Sequence, residues 1–391
     1  MKVLVINAGS SSHKLSFFDL QDEEPIEPVW QGTIEWGQEQ STLSVKTSLG
    51  NDLKRLLPDR DVKTGLRELL ATLWEGETKV IENSHSIDRV GHRVVHGGPH
   101  FERPMRVNPE VKAEIKKWSI FAPLHNPASL EGIEYIEKTY PFLPQIVCFD
   151  TAFHTTMPEK IKTYPIPAKW RQQGIQRYGF HGISHQYCAE RLTKIIRPGL
   201  KIINCHLGNG CSLCAIQEGK SWETTMGLTP LEGLMMGTRS GSIDPSIPVY
   251  LIQNDHMSPK DVNLALNFES GLKGISGLSD MRELMAQQEM PASQLAIEMF
   301  VHRLKTAIGA LVVSLEGVDV INFTAGIGEN SAAIRAKTCE GLTCLGIQLD
   351  LEKNNQCQPD QSISHSKSNA QIWVIHTREE WMIAKACLNL N

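Results

Sequence analysis

Twice along this chain a run of apolar residues breaks into a short polar turn that carries glycine, then resumes as a second apolar run. The first instance is Val3 to Ile6, then Asn7-Ala8-Gly9-Ser10-Ser11-Ser12, then Leu15-Ser16-Phe17-Phe18. The second is Lys201-Ile202-Ile203-Asn204-Cys205, then His206-Leu207-Gly208-Asn209-Gly210-Cys211, then Ser212-Leu213-Cys214-Ala215-Ile216. Each reads as strand, turn, strand. A duplicated unit would give this pattern, and so would two unrelated β-hairpins. The 391 residues exceed what one ordinary core organises and suffice for two lobes.

Between and beyond the two turns, strands mix with helices. Thr42-Leu43-Ser44-Val45 alternates like a strand, and Thr64 to Leu73 is helical in pattern. Arg89 to His96 reads as a buried strand closing on Gly97-Gly98-Pro99, and Pro109 to Trp118 opens as a helix. Gln145 to Asp150 is a strand ending on a carboxylate. Pro158 to Pro167, with three prolines, is the expected crossing between domains. A helix from near Ser293 to Leu315 shows Leu295, Met299, Leu304, Ile308 and Leu311 as its apolar face and feeds the strand Val320 to Phe323. The strand Ile372 to Ile375 and a helix from Glu379 finish the chain, so the class is α/β.

Hydrophobic residues at 41% and charged residues at 21% are globular proportions, and a net charge of −5 argues against nucleic-acid or anionic-membrane partners. No apolar stretch approaches the ~20 residues of a membrane span, and the start is too briefly apolar for a signal peptide. Nine scattered cysteines read as reduced thiols, which implies a cytoplasmic location. Cys211 and Cys214 form a lone C-x-x-C that runs along a strand, so they read as buried strand cysteines.

Phosphate groups need backbone N–H donors, glycine for close approach, and a cation. Three loops qualify: Asn7 to Ser12 followed by Lys14, His206 to Gly210, and Gly326-Ile327-Gly328-Glu329-Asn330. None is a Walker A loop, since Cys214 stands where Gly219-Lys220-Ser221 would need its first glycine. None is a Rossmann fingerprint, since the first two lead into strands. His92, His96 and His100, and His181 with His185, recur at intervals of four, but no metalloprotease glutamate accompanies them, and a glycine pair interrupts the first set. His181 reads as a donor to an anion. Arg93 on an apolar strand needs an anionic partner, and Arg239, in Met236-Gly237-Thr238-Arg239-Ser240-Gly241, is placed to meet one bidentately. A structural salt bridge is the alternative for each arginine.

Taken in order, these segments resemble the acetate kinase family. The resemblance is carried by Asn7 to Lys14, Gly91 to Gly98, Phe149-Asp150-Thr151-Ala152-Phe153-His154, Tyr178 to His185, His206 to Gly210, Met226 to Gly233, Gly237 to Gly241 and Gly326 to Asn330. It runs from residue 2 to the C-terminal helix. It implies the duplicated actin-like, sugar kinase and Hsp70-like ATPase fold, with two lobes closing over a nucleotide cleft, and a homodimer. The expected division is a lobe of residues 1–150, rejoined by about 381–391, and a nucleotide-binding lobe of 151–380.

The resemblance further implies transfer of the γ-phosphoryl group of ATP to acetate, reversibly, giving acetyl phosphate and ADP by in-line displacement. Asn7 and Glu379 would hold Mg²⁺, with Mn²⁺ tolerated. Lys14 would meet phosphate oxygens, and His206, Leu207, Gly208, Asn209 and Gly210 would cradle them. Asp280, Met281 and Arg282, with Gly326, Ile327, Gly328, Glu329 and Asn330, would hold the nucleoside end. Arg93 would anchor the acetate carboxylate, with Val95, Leu124, Phe180 and Pro230 walling its methyl group. His181 and Arg239 would donate to the transferring group. Asp150 is marked as an active-site acid or base. Acetate is already ionised at neutral pH, so an indirect metal role or the orienting of an arginine suits Asp150 better.

Two positions depart from the family pattern: Ser242 replaces an acidic residue, and Arg378 replaces an asparagine before Glu379. The first is expected to loosen Arg239 and the second to place a cation near the metal ligand. Rival readings are a propionate or butyrate kinase of the same family and, more remotely, a nucleotide-switched binding module on the same fold.

Overall fold

The computed structural model describes residues 1–9, 12–21, 26–37, 40–57 and 61–390; Ser10 and Ser11 of the first glycine turn lie outside the described residues. Its contacts divide the chain into Met1–Ala152 with Arg378–Asn391, and Phe153–Thr377. The three-proline segment lies inside the second unit, where Pro158 and Pro167 precede the short helices Glu159–Lys162 and Ala168–Arg171.

In the first unit, β1 (Lys2–Ala8), β2 (Ser12–Asp19), β3 (Trp30–Glu35), β4 (Ser41–Thr47) and β5 (Asp52–Leu57) form an antiparallel meander. On the other side of β1 come β6 (Arg89–Val94), parallel to it, and β8 (Gln145–Phe149), parallel to β6, with the short β7 (Met105–Arg106) at the edge. Among the described residues the sheet order is β5-β4-β3-β2-β1-β6-β8-β7. Val3 to Ile6 are all buried, as expected of a central strand covered on both faces. Helices Asn126–Thr139 and Glu379–Asn389 both pack on β1 and β6. The second sits so close that a Cβ at Gly91 would lie 2.6 Å from Ile383 and 2.8 Å from the Cys387 sulfur.

The second unit is built on β9 (Lys201–Leu207), β10 (Cys211–Gln217), β11 (Lys220–Thr224), β12 (Val320–Thr324), β13 (Gln361–Ser362) and β14 (Gln371–Val374), in the order β11-β10-β9-β12-β14-β13. Here β9 is antiparallel to β10 and parallel to β12, which is parallel to β14. The run β11-β10-β9-β12-β14 therefore repeats β3-β2-β1-β6-β8 in order and direction. Unrelated hairpins would not each continue into the same two parallel strands. The repeat in the sequence is a duplicated α/β unit.

The helix Pro291–Ser314 packs on β9 and β10 and buries Ile297, Phe300, Leu304, Ile308 and Leu311. Of the expected face, Leu304, Ile308 and Leu311 are buried and Met299 is half-buried, while Leu295 is 51% exposed. Cys211 and Cys214 are both buried on β10; their odd spacing sends them to opposite faces, and burial pushes both thiols up to about 12. They form neither a metal clamp nor a redox pair.

Candidate active site

In the first unit the chemistry gathers at the C-terminal ends of β1, β6 and β8. Asn7 is the penultimate residue of β1, and the antiparallel register sets it opposite Lys14, which is exposed on β2. Arg93 is the penultimate residue of β6, and Asp150 follows β8 directly. The Arg93 guanidinium donates through Nε to Asp150 Oδ1 at 3.0 Å and through Nη2 to Oδ2 at 2.6 Å, a two-bond fork. Its Nη1 donates to Asn7 Oδ1 at 3.4 Å. Asp150 is 1% exposed and its own N–H donates to the Val94 carbonyl, so backbone and side chain are both pinned. Burial opposes the charge on Arg93, yet Asp150 and Glu379 outweigh it and hold the guanidinium well above its ordinary pKa.

Glu379 opens the C-terminal helix, and its Oε1 lies 4.0 Å from Arg93 Nη2. That oxygen is buried with no hydrogen-bond partner. Burial pushes the carboxyl up to about 7, with Arg93 pulling the other way and Asp150 and Glu380 adding to the rise. The buried carboxylate oxygen without a hydrogen bond and the amide oxygen of Asn7 both lie against the Arg93 guanidinium, and both are hard oxygen donors of the kind a divalent cation takes. Among the described residues no group of three or more His, Cys, Asp or Glu is placed to hold a metal ion. The Arg378 guanidinium donates to Glu27 at 3.1 Å, so its charge is shared with a carboxylate of its own. Val95 lies two residues beyond Arg93 and is buried; Leu124 is half-buried in the turn before helix Asn126–Thr139.

In the second unit three segments converge. The turn between β9 and β10 closes through the Gly208 N–H donating to the Gly210 carbonyl at 3.0 Å. A Cβ at Gly210 would lie 3.4 Å from Nε2 of His181 and 3.5 Å from Nη1 of Arg239, so the glycine turn, the imidazole and the guanidinium face one spot. Nη1 of Arg239 also donates to the Pro230 carbonyl at 3.2 Å. His181 holds φ +57°, a left-handed conformation uncommon for a residue with a Cβ and stored most often at functional sites. Its ring stacks on His206 at 4.2 Å between centroids, and its Nδ1 meets Ser212 Oγ at 2.9 Å. Phe180 is buried, and its carbonyl accepts from His154 Nε2 at 3.0 Å. Asn209 is held by its carbonyl, which accepts from the Gly237 N–H at 3.0 Å. Leu207 is buried in β9.

The other glycine loop, Gly326 to Asn330, lies in helix Ala325–Asn330 after β12. Glu329 turns inward: Oε1 accepts from the N–H groups of Ala325 (2.8 Å) and Thr377 (3.1 Å), and Oε2 meets His376 Nδ1 at 2.5 Å. Its side chain fixes the loop, and Gly326, Ile327, Gly328 and Asn330 are left to offer backbone and edge. Asp280 caps helix Met281–Ala286 by accepting from the Arg282 N–H at 2.8 Å, and the hydrogen bonds of Arg282 hold its carboxyl down at about 2. Met281 is buried and Arg282 points to solvent.

Sequence reading missed three supports. Arg335 is 2% exposed and donates only to neutral oxygens: Gly328 and Glu329 carbonyls and both oxygens of Asn354. It ties off the end of the Gly326 loop. Arg177 donates to Glu232 at 2.6 Å and to three successive carbonyls from Thr224 to Met226, and Tyr164 donates to the same Glu232, clamping the loop that carries Pro230. Ser242, in place of an acidic residue, accepts from the Gly233 N–H at 3.0 Å and secures the other end of that loop. The third support is a buried amide pair, Asn204 and Asn322; an asparagine inside an otherwise apolar strand was the available signal.

A sequence model of the Acetokinase family matches residues 2–385. An acetate kinase of Protochlamydia amoebophila is 54% identical over 390 residues, covering 99% of this chain and 98% of that one. An acetate kinase of Microcystis aeruginosa is 49% identical over 402 residues and the full length of both. Among solved structures, Porphyromonas gingivalis acetate kinase superposes with a TM-score of 0.91 at 36% identity, covering 99% of this chain and 98% of that one. A propionate kinase of Francisella tularensis gives 0.92 at 39%, covering all of both chains. Matching through residue 385, over the motifs that supply Asn7, Arg93, Asp150, His181, Arg239 and Glu379, the chain belongs to the acetokinase family.

Proposed function

We propose that this chain is an acetate kinase, a phosphotransferase that moves the γ-phosphoryl group of ATP to acetate and back. What supports the reading most is the convergence of the Gly208–Gly210 turn, His181 Nε2 and Arg239 on one spot, a cradle for a phosphoryl group. Arg93, preset by its fork to Asp150, supplies the guanidinium for a small carboxylate.

In the reaction an acetate oxygen attacks phosphorus, the bond from phosphorus to the β,γ-bridging oxygen breaks, and ADP leaves with that electron pair. No proton need move, so positioning and charge neutralisation carry the catalysis. Arg93 orients the carboxylate and Asp150 orients Arg93. His181 and Arg239 donate to the equatorial oxygens as charge spreads over them. Lys14 and the backbone of His206 to Gly210 hold the phosphates, and Gly326 to Asn330 with Asp280 to Arg282 bound the nucleoside. Asn7 and Glu379 would hold Mg²⁺, or Mn²⁺ in its place, which when bound neutralises phosphate charge. Val95, Leu124, Phe180 and Pro230 bound the acyl group.

Acyl hydroxamate formation from Mg-ATP with acetate, propionate or butyrate tests this. The expected order has acetate highest in kcat/KM. A preference for propionate keeps the mechanism and favours the second reading, to which the Francisella propionate kinase gives weight. No product with any acid refutes the proposal.

A homodimer is part of the reading. Helix Ser246–Gln253 has no buried residue, yet exposes Ile247, Val249, Tyr250 and Ile252 by 37–58%. Such a face favours burial against a second copy. Light scattering should give twice the chain mass, reduced to one by Tyr250→Glu; a monomeric wild type refutes it. A cytoplasmic setting is part of the same reading, and among the described residues no helix is long and apolar enough to cross a membrane.

A further inference from the structure

The central strands β9 and β12 pair in parallel, and their register sets Asn204 directly beside Asn322. Both are 0% exposed among apolar neighbours, where an amide is costly unless its hydrogen bonds serve something. They begin a continuous chain. Asn322 Nδ2 donates to Asn204 Oδ1 at 2.6 Å, and Asn204 Nδ2 meets His185 Nδ1 at 2.7 Å. His185 Nε2 meets Ser212 Oγ at 2.8 Å, and Ser212 Oγ meets His181 Nδ1 at 2.9 Å. His185 and Ser212 are also 0% exposed, so water does not compete for these bonds. The chain ends at an imidazole whose other nitrogen, Nε2, faces the Gly210–Arg239 spot.

Donor counting gives the chain a direction. An amide NH₂ only donates, so His185 Nδ1 is the acceptor and its single ring proton sits on Nε2. That proton goes to Ser212 Oγ. The serine oxygen has room to accept a second bond, but its own proton meets no other side-chain acceptor among the described residues than His181 Nδ1, so it goes there and leaves the His181 proton on Nε2. The reverse order would turn both amides over. As drawn, one buried oxygen, Asn322 Oδ1, lacks a partner. Reversed, an NH₂ with two donors would take its place, and orphaned buried donors are the rarer and costlier case.

The geometry points to Asn322, Asn204, His185 and Ser212 as positioning residues that lock His181 in its Nε2–H tautomer, so that this histidine presents a proton to the transferring phosphoryl group. The inference rests on the phosphotransfer reading for its catalytic consequence, though not for the tautomer. Burial, together with His154 and His206, holds His185 well below its ordinary pKa, so the link stays neutral.

The test is imidazole ¹⁵N NMR on the histidine-labelled full chain, His181 being assigned by loss of its signals in His181→Gln. Wild type should show His181 and His185 protonated on Nε2 alone. Ser212→Ala should leave His181 as a mixture of tautomers. It should lower kcat by roughly 5- to 100-fold, less than the ~10²–10³ lost with an oxyanion donor, with KM for acetate and ATP within about twofold. His185→Gln, which keeps an N–H donor near the position of Nε2, should preserve both tautomer and kcat far better than His185→Leu. A wild-type His181 protonated on Nδ1, an unaltered tautomer or kcat in Ser212→Ala, or equal damage from Gln and Leu at 185 overturns the inference. A chain that makes no acyl phosphate would sink the functional reading, while the NMR arm still decides the tautomer.

Discussion

Asp150→Asn is the substitution that separates the two roles open to this carboxylate. It removes a negative charge from a residue 1% exposed while the Arg93 guanidinium stays where it is. Two bonds between opposite charges, at 3.0 and 2.6 Å, are reduced to at most one bond onto a neutral oxygen, because the amide nitrogen would point a donor at a donor. Breaking a buried pair from one side costs ~3–5 kcal/mol; Glu379, 4.0 Å away, offers partial compensation, which brings the figure to about 2–3 kcal/mol. At ~2–4 °C per kcal/mol for a domain of some 150–250 residues, Tm should fall by roughly 5–10 °C. Spent as lost orientation of Arg93, the same free energy is roughly 30- to 150-fold in kcat/KM for acetate. The assay is hydroxamate formation across a Mg²⁺ titration. If Asp150 works through Arg93, the loss appears against acetate, leaves KM for ATP almost untouched, and persists at any Mg²⁺ concentration. Recovery at high Mg²⁺ would assign Asp150 to the metal instead. A kcat/KM within threefold of wild type would refute both roles.

Three further outcomes follow from the same geometry. Glu379 has a folded pKa of about 7, raised from 4.5, so the stability it contributes is full below about 4.5 and lost as pH rises through 7. The metal-free chain should lose up to ~3 kcal/mol between pH 4.5 and 8 from this group, and Glu379→Gln should flatten that slope in thermal melts while abolishing stabilisation by Mg²⁺. Val95→Ala should raise the propionate-to-acetate ratio of kcat/KM by about 10-fold, the lower end of the ~10–200-fold that a methylene is worth, and an unchanged ratio removes Val95 from the acyl pocket. Gly237→Ala would set a Cβ 2.0 Å from Asn209 Oδ1 and 3.0 Å from the Ser279 carbonyl; the displaced Asn209 should cost ~10²-fold in kcat, and normal turnover would take Asn209 out of the phosphate cradle.

The strands that carry the site were readable because they are buried on both faces, and Val3 to Ile6 or Val320 to Phe323 can be little else in a chain of this composition. The duplication was readable only as a pattern. What distinguishes it from two hairpins is the parallel neighbour of each first strand, β6 and β12, and those pairings join residues some 85 and 120 positions apart. The same limit hid the supports. Asn204 and Asn322 make sense only once the register brings them together, and Arg335 only once Asn354 and the Gly328 carbonyl surround it. On helix Pro291–Ser314 the expected face holds at Leu304, Ile308 and Leu311 and fails at Leu295, because Leu295 and Ile297 are equally apolar and periodicity alone does not choose between them. Glu329, grouped with the nucleoside loop by its place in the sequence, spends its carboxylate inside that loop.

The first unit takes its last helix from residues 378–391, more than two hundred positions after the rest of it. During synthesis its sheet therefore emerges with β1 and β6 lacking one cover, and the gap at Gly91 stays open until Ile383 and Cys387 arrive. At the ~5–20 residues per second of translation, the wait is on the order of ten to fifty seconds. Glu379 arrives with that helix, so the half-built unit lacks one of its two proposed metal oxygens until the second unit has been made.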